Sequence, residues 1–199
     1  MNKIRLVAFD LDGTIGDTIP LCIRAFKEAV TPYVGHELSD SDVIQTFGLN
    51  EQGMIGNVVD APYKEHALAD FYTIYKNLHE QMCPCPFPGI RELITTLKQS
   101  GMIVALVTGK GVKSCDITLW QFGMNTLFDK VLTGNAERNI KAASLEWLLQ
   151  NYHLSAREVV YIGDTVSDIM ACKAVGLDCL SAAWGVSEVA AQDLARHNK

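Results

Sequence analysis

The chain has 199 residues, 48% of them hydrophobic and 20% charged, with a formal net charge of −6. This balance excludes a disordered chain and suits one α/β core with a small inserted block. An acidic chain also lacks the basic face that a nucleic-acid backbone demands, so a phosphate ligand would need a local cluster of positive groups or a metal ion.

The apolar run that follows the amino terminus is too short for a signal peptide, and no run approaches the ~20 apolar residues that span a bilayer. A cytoplasmic protein without a membrane partner is therefore expected. Leu6–Phe9 is a four-residue apolar run that stops at Asp10, the pattern of a strand buried on both faces. Further strands are predicted at 103–107, 130–132, 159–162 and 179–181, separated by helical patterns at 90–99, 112–122, 142–152 and 166–174. Strands alternating with helices predict a parallel sheet covered on both sides, a doubly wound, Rossmann-like α/β core.

The stretch from about 18 to 85 breaks that alternation. Helices are predicted at 19–30, 39–46 (with Ser39 or Asp40 as N-cap) and 63–81, with a glycine-bearing segment through Gly53 and Gly56 between the last two. Such a block reads as a small all-helical cap domain inserted after the first strand, with Pro84, Pro86 and Pro88 marking the return. The predicted division is residues 1–16 and 86–199 for the core and 17–85 for the cap. Trp120, Phe122 and Trp147 are expected to pack in the core. The six cysteines show no metal-ligand spacing and are expected to be free buried thiols, and the five histidines show no zinc pattern.

In an open parallel sheet, ligands bind beyond the carboxyl ends of the strands. Three predicted strands end at Asp10, Thr108-Gly109 and Gly163-Asp164, so two carboxylates and a hydroxyl should converge on one crevice. Asp10 and Asp12 flank Leu11, and Gly13-Thr14 lets the backbone turn sharply there. Carboxylates this close are tolerated when a divalent cation neutralises them or one holds a proton. Asp164 and Asp168, one helical turn apart, add oxygen ligands of the hard type that Mg²⁺ prefers.

These motifs, Asp10 to Thr14, Thr108-Gly109, Lys141 and Gly163-Asp164 to Asp168, resemble those of the haloacid dehalogenase superfamily, specifically its phosphatases with an inserted helical cap. The segments Phe87-Pro88-Gly89 and Ala183-Trp184-Gly185 are also similar to those of phosphoglycolate-phosphatase-like members. The resemblance implies a Mg²⁺-dependent hydrolysis of a small phosphorylated metabolite through an aspartyl phosphate, by a monomer or homodimer. It implies that Asp10 is the nucleophile and Asp12 the acid and base, and that Leu11, Asp12, Thr108, Gly109 and Lys141 hold the phosphoryl group. Asp10, Asp12 (through its carbonyl) and Asp164 would ligate the metal, with Asp168 acting through water or from behind. Many relatives place proline after the lysine, whereas here Ala142 follows Lys141, which leaves Lys110 as a rival cation. Within the superfamily, a phosphosugar mutase resembling β-phosphoglucomutase and an inorganic pyrophosphatase are the alternative activities, and a catalytically silent binding protein is the alternative outside enzymes. Specificity should lie around 47–49 and 53–57, where no pattern selects a substrate.

Overall fold

Five short strands form one all-parallel sheet in the computed structural model, which describes residues 3–198. β1 (Leu6–Phe9) is central, with β2 (Ile103–Val107) and β3 (Lys130–Leu132) to one side and β4 (Val159–Gly163) and β5 (Asp178–Ser181) to the other. After β3 the chain returns to the far side of β1, which makes a topological switch point there, where a parallel sheet opens a crevice. Phe9 pairs with Leu106 on one flank and with Ile162 on the other. Asp10, Thr108 and Asp164 therefore leave the sheet from one edge, within two residues of that row.

The period-two alternation of strand side chains divides the apolar residues between two cores. Val7, Phe9, Val104 and Leu106 point to a face covered by α5 (Ile90–Gln99), α6 (Val112–Gln121) and the helices that follow β1. Leu6, Ala8, Ala105, Val107 and Tyr161 point to the other face, covered by α7 (Lys141–Asn151), α8 (Val166–Val175) and α9 (Glu188–His197). The α/β doubly wound class expected from the alternation is the one observed. α9 lies beyond the predicted elements and buries Leu194 against the sheet's second face.

Between β1 and α5 the described residues form helices and no strand of the sheet. α1 (Ile19–Val34) runs four residues past its predicted end, through Pro32, and stops at Gly35, whose φ of +73° lets its N–H bond the carbonyl of Thr31. α2 (Asp40–Ile44) starts at Ser39, which forms a reciprocal capping box with Asp42. The glycine-bearing segment is helical, as α3 (Glu51–Val58), because Asn50 caps it by accepting from Gly53 N. α4 (Lys64–Met82) packs along α1 and ends near the return to the sheet.

The six cysteines are free, and Cys83, Cys115, Cys172 and Cys179 are buried as expected, whereas Cys22 is half-buried and Cys85 is exposed. No helix among the described residues is long and apolar enough to cross a membrane. The tryptophans depart from expectation: Phe122 is buried, but Trp120 is 70% exposed and Trp147 is 38% exposed, covering Lys130 with its ring. On α6 the inward face is set by Cys115, Thr118 and Leu119, which turns Trp120 to solvent. Phe122 instead fills the space beside Gly16, where a Cβ would lie 2.5 Å from its ring, and meets the ring of His79 edge-on. Phe122→Ala should accordingly destabilise the protein by about 3–5 kcal/mol, whereas Trp120→Ala should change stability by less than about 1 kcal/mol. Urea unfolding of both variants checks this, and equal costs would contradict the packing described.

Candidate active site

The loop after β1 is built to bring two acids and a turn together. Asp10 continues the sheet, its N–H bonding the carbonyl of Ile162, and the carbonyl of Leu11 then accepts from Ile15 N at 2.9 Å to close the turn. Gly13 has φ +76°, and a Cβ on it would lie 2.1 Å from Asp164 Oδ2, so a side chain is excluded on both counts. Thr14 donates to Asp164 Oδ1 at 3.0 Å and so ties the loop to the end of β4. Two segments conspicuous in the sequence brace the same loop: Phe87 N bonds Ile15 O at 2.8 Å, and Trp184 Nε1 bonds Thr14 O at 3.0 Å.

Asp10, Asp164 and Asp168 are all buried, with one oxygen of each lying within 4.8 Å of the others. Lys141, the first residue of α7, places Nζ 3.1 Å from Asp10 Oδ2 and also binds Asp168 Oδ1. Burial, reinforced by the neighbouring carboxylates, pushes the pKa of Asp10 well above the ordinary carboxylate range against the pull of Lys141. Burial and Asp168 likewise raise Asp164, to about 6. Asp168 is also buried, yet its pKa is held low by Lys141 and by the N–H and hydroxyl of Thr165. Tyr161 OH donates to it as well, at 3.0 Å.

Asp168 is therefore fully engaged: it completes the capping box of α8 and anchors Lys141. Asp10 Oδ1 is the opposite case, the buried side-chain polar atom without a hydrogen-bond partner among the described residues. A buried carboxylate oxygen without a donor, beside the carboxylate of Asp164, suits a hard divalent cation, so the donor set fits Mg²⁺.

The second acid has separate company. Lys110 Nζ lies 3.3 Å from Asp12 Oδ1, Thr18 donates to the same oxygen at 2.5 Å, and Cys22 Sγ is 3.6 Å away. The two lysines are thus divided between the two aspartates, Lys141 to Asp10 and Lys110 to Asp12. Thr108 is buried, and its hydroxyl accepts from Lys110 N at 3.1 Å, which shapes the loop after β2. Leu11 is buried, while Asp10, Asp12, Gly109, Lys110 and Lys141 line a cavity of about 260 Å³. Helices and loops after β1 close its other side with Phe47, Gly48, Leu49 and Met54. Thr18, which the sequence marks with Asp17 as a hinge, N-cap or substrate contact at the entry to the helical block, is the N-cap of α1 and turns its hydroxyl to Asp12, whereas no sequence pattern singles out Tyr161 and Cys22.

The chain matches the haloacid dehalogenase-like hydrolase family over residues 7–182. A phosphoglycolate phosphatase from Vibrio cholerae is 30% identical over 200 residues, covering 93% of this chain and 87% of its own length. One from Aliivibrio fischeri is 28% identical, covering 92% and 86%. Among solved structures, a haloacid dehalogenase-like hydrolase from Streptococcus pneumoniae shares the fold with a TM-score of 0.73 at 23% identity, over 98% of this chain and 90% of that one. CbbY from Rhodobacter sphaeroides, in complex with phosphate, gives 0.74 at 20% identity, over 88% and 84%. Fold and sequence together define a hydrolase, and the chain belongs to the haloacid dehalogenase-like family. Within it the chain is a phosphatase, similar to the phosphoglycolate phosphatases.

The raised pKa of Asp164 has a measurable consequence for the metal-free protein. A carboxyl whose folded pKa of about 6 exceeds its unfolded 3.8 stabilises the fold fully below pH 3.8, and that contribution is lost as pH rises through about 6. Relative to Asp164→Asn, the parent protein in EDTA should gain up to about 2–3 kcal/mol as pH falls from 7 to 4. Denaturant titrations at several pH values measure the difference, and a pH-independent difference would refute the assignment.

Proposed function

We propose that the protein hydrolyses a small phosphomonoester through a phosphorylated Asp10, with Asp12 as acid and base and Mg²⁺ as cofactor. The observation that carries this reading is the asymmetry of Asp10, a residue lining a small cavity, with Oδ2 held by Lys141 and Oδ1 buried without a donor among the described residues. In the first step an oxygen of Asp10 bonds to phosphorus, the phosphorus–leaving-oxygen bond breaks, and Asp12 gives its proton to the departing alkoxide. In the second, Asp12 takes a proton from water, the water oxygen bonds to phosphorus, and the carboxylate of Asp10 departs.

Lys110 and Thr18 both contact the carboxylate of Asp12 and would hold it toward the leaving group. Thr108, Gly109 and Lys141, with the backbone at Leu11 and Asp12, would hold the phosphoryl oxygens. Asp10, the carbonyl of Asp12 and Asp164 would bind Mg²⁺, whose charge offsets the carboxylates and the phosphoryl group. Asp168 would act through Lys141, because its oxygens are already engaged. The helical block of residues 17–85 would serve as a lid that excludes water and selects the substrate, with Phe47, Leu49 and Met54 lining its underside.

The relatives named phosphoglycolate phosphatase make phosphoglycolate the first substrate to test. With it or with a generic aryl phosphate, Asp10→Asn should lower turnover by more than about a thousandfold while the circular dichroism spectrum is retained. A full-speed variant would end the proposal. EDTA should abolish phosphate release by the parent, and added Mg²⁺ should restore it. Release of free phosphate, without interconversion of sugar-phosphate isomers, separates this reading from a mutase.

A further inference from the structure

Glu51 is buried, 5% exposed, in the first turn of α3 and without a cationic partner among the described residues. Its bonds cross to the other side of the cavity: Oε2 accepts from Gly111 N at 2.8 Å and Oε1 from Ser114 Oγ at 3.0 Å. Gly111 is the N-cap of α6 and has no side chain with which to cap it. A residue 60 positions away thus supplies the negative charge that the N-terminus of α6 favours. Gly111 also gives the carboxylate its room, since a Cβ there would lie 2.5 Å from Glu51 Oε1.

The rest of this turn is docked just as closely. Asn50 N bonds Asn135 O at 2.9 Å, and Gly53 lies so near Ala136 that a Cβ would fall 2.1 Å from its carbonyl oxygen. Gly134 N in turn bonds Lys110 O at 2.6 Å. The start of α3 therefore meets the end of the loop 108–111 twice, at Gly111 directly through Glu51 and at Lys110 through Gly134, whose carbonyl accepts from Asn50 Nδ2 at 3.4 Å. Along α4 the contacts with α6 run in order, from His79 and Tyr75 on Thr118 to Tyr72 beneath Lys113, and Glu51 closes the series at the end of α6. A carboxylate moved away from α6 would leave Gly111 N and Ser114 without it and loosen the segment that carries Thr108 and Lys110.

We infer that Glu51 is a positioning residue, a latch that joins closure of the helical lid to the shape of the phosphate-binding loop at Thr108–Gly111. The inference rests on the phosphatase reading for the role of that loop. A residue that merely capped α6 would change the unfolding midpoint and leave kcat/KM of the folded enzyme untouched. A latch has a different signature.

The test is a cycle of Glu51→Ala, Gly111→Ala and the double variant, with Glu51→Gln as the conservative change. Glu51→Ala should lower kcat/KM for an aryl phosphate roughly tenfold to a hundredfold, the range expected for a hydrogen bond to a charged group. The loss should fall mainly on KM, and Glu51→Gln, which keeps an acceptor for Gly111 N, should recover most of it. Gly111→Ala displaces the carboxylate and should resemble Glu51→Ala, with the double variant no worse than either. Values of kcat/KM for Glu51→Ala within twofold of the parent, or additive single effects, would overturn the latch. Amide exchange at Gly111, followed by NMR in the resting protein, should accelerate by a similar factor in Glu51→Ala. Exchange at the parent rate would overturn the latch even if no phosphomonoester were hydrolysed, so the two readings fail separately.

Discussion

Three carboxylates whose oxygens crowd within 4.8 Å of one another would repel in any buried setting, and the architecture of this protein turns on how that repulsion is contained. One ammonium group, Lys141, reaches two of the three. Tyr161 and Thr165 complete the neutralisation of Asp168 by donating hydrogen bonds, and Thr14 does part of the same for Asp164. Asp164 stays partly uncompensated, and the imbalance is greatest at Asp10, which keeps a buried oxygen without a donor among the described residues. In the proposed reaction that imbalance would favour the arrival of a cation beside Asp10.

Every part of this arrangement depends on the sheet. β1, β2 and β4 are adjacent and in register, so the residues that follow them leave one edge together. Their strands are buried on both faces, which keeps the backbone rigid beneath the loops. Gly13 then allows the first loop to approach Asp164 more closely than any side chain would permit. The second acid, Asp12, sits apart, with Lys110, Thr18 and Cys22 around it. Two like residues two positions apart thus receive different surroundings, the condition under which one can act as nucleophile and the other as acid and base.

The residues between β1 and α5 complete the cavity from the other side, and along α6 they hold on near both of its ends. Near the return to the sheet, His79, Tyr75 and Thr118 form a buried polar cluster beside Phe122. At the far end of α6, Glu51 and Asn50 grip the loops that follow β2 and β3. Close contact at the second place requires glycine at 53 and 111, so side-chain volume is withheld where backbone must meet carboxylate or carbonyl.

Much of this was legible in the sequence, for identifiable reasons. Short apolar runs ending in Asp10, Thr108 and Asp164 specify buried strands and their exits, since strand burial and strand-end chemistry are local properties. The all-helical character of residues 19–82 follows from helical periodicity, and the start of α2 from the choice of Ser39 or Asp40 as N-cap, which the structure resolves to Ser39. What the sequence left open was pairing. Lys110 and Lys141 are equally cationic, and only the loop after β2 and the start of α7 decide which meets Asp12 and which meets Asp10. Trp120 and Trp147 have the composition of core residues, but the rotation of each helix on the sheet turned them outward. Glu51 carries no signal in the sequence, and its role is defined only by the approach of the N-terminus of α6. Local chemistry is carried by neighbours in the chain, whereas partners 60 to 150 residues apart are chosen by packing of whole elements, and that choice belongs to the tertiary structure.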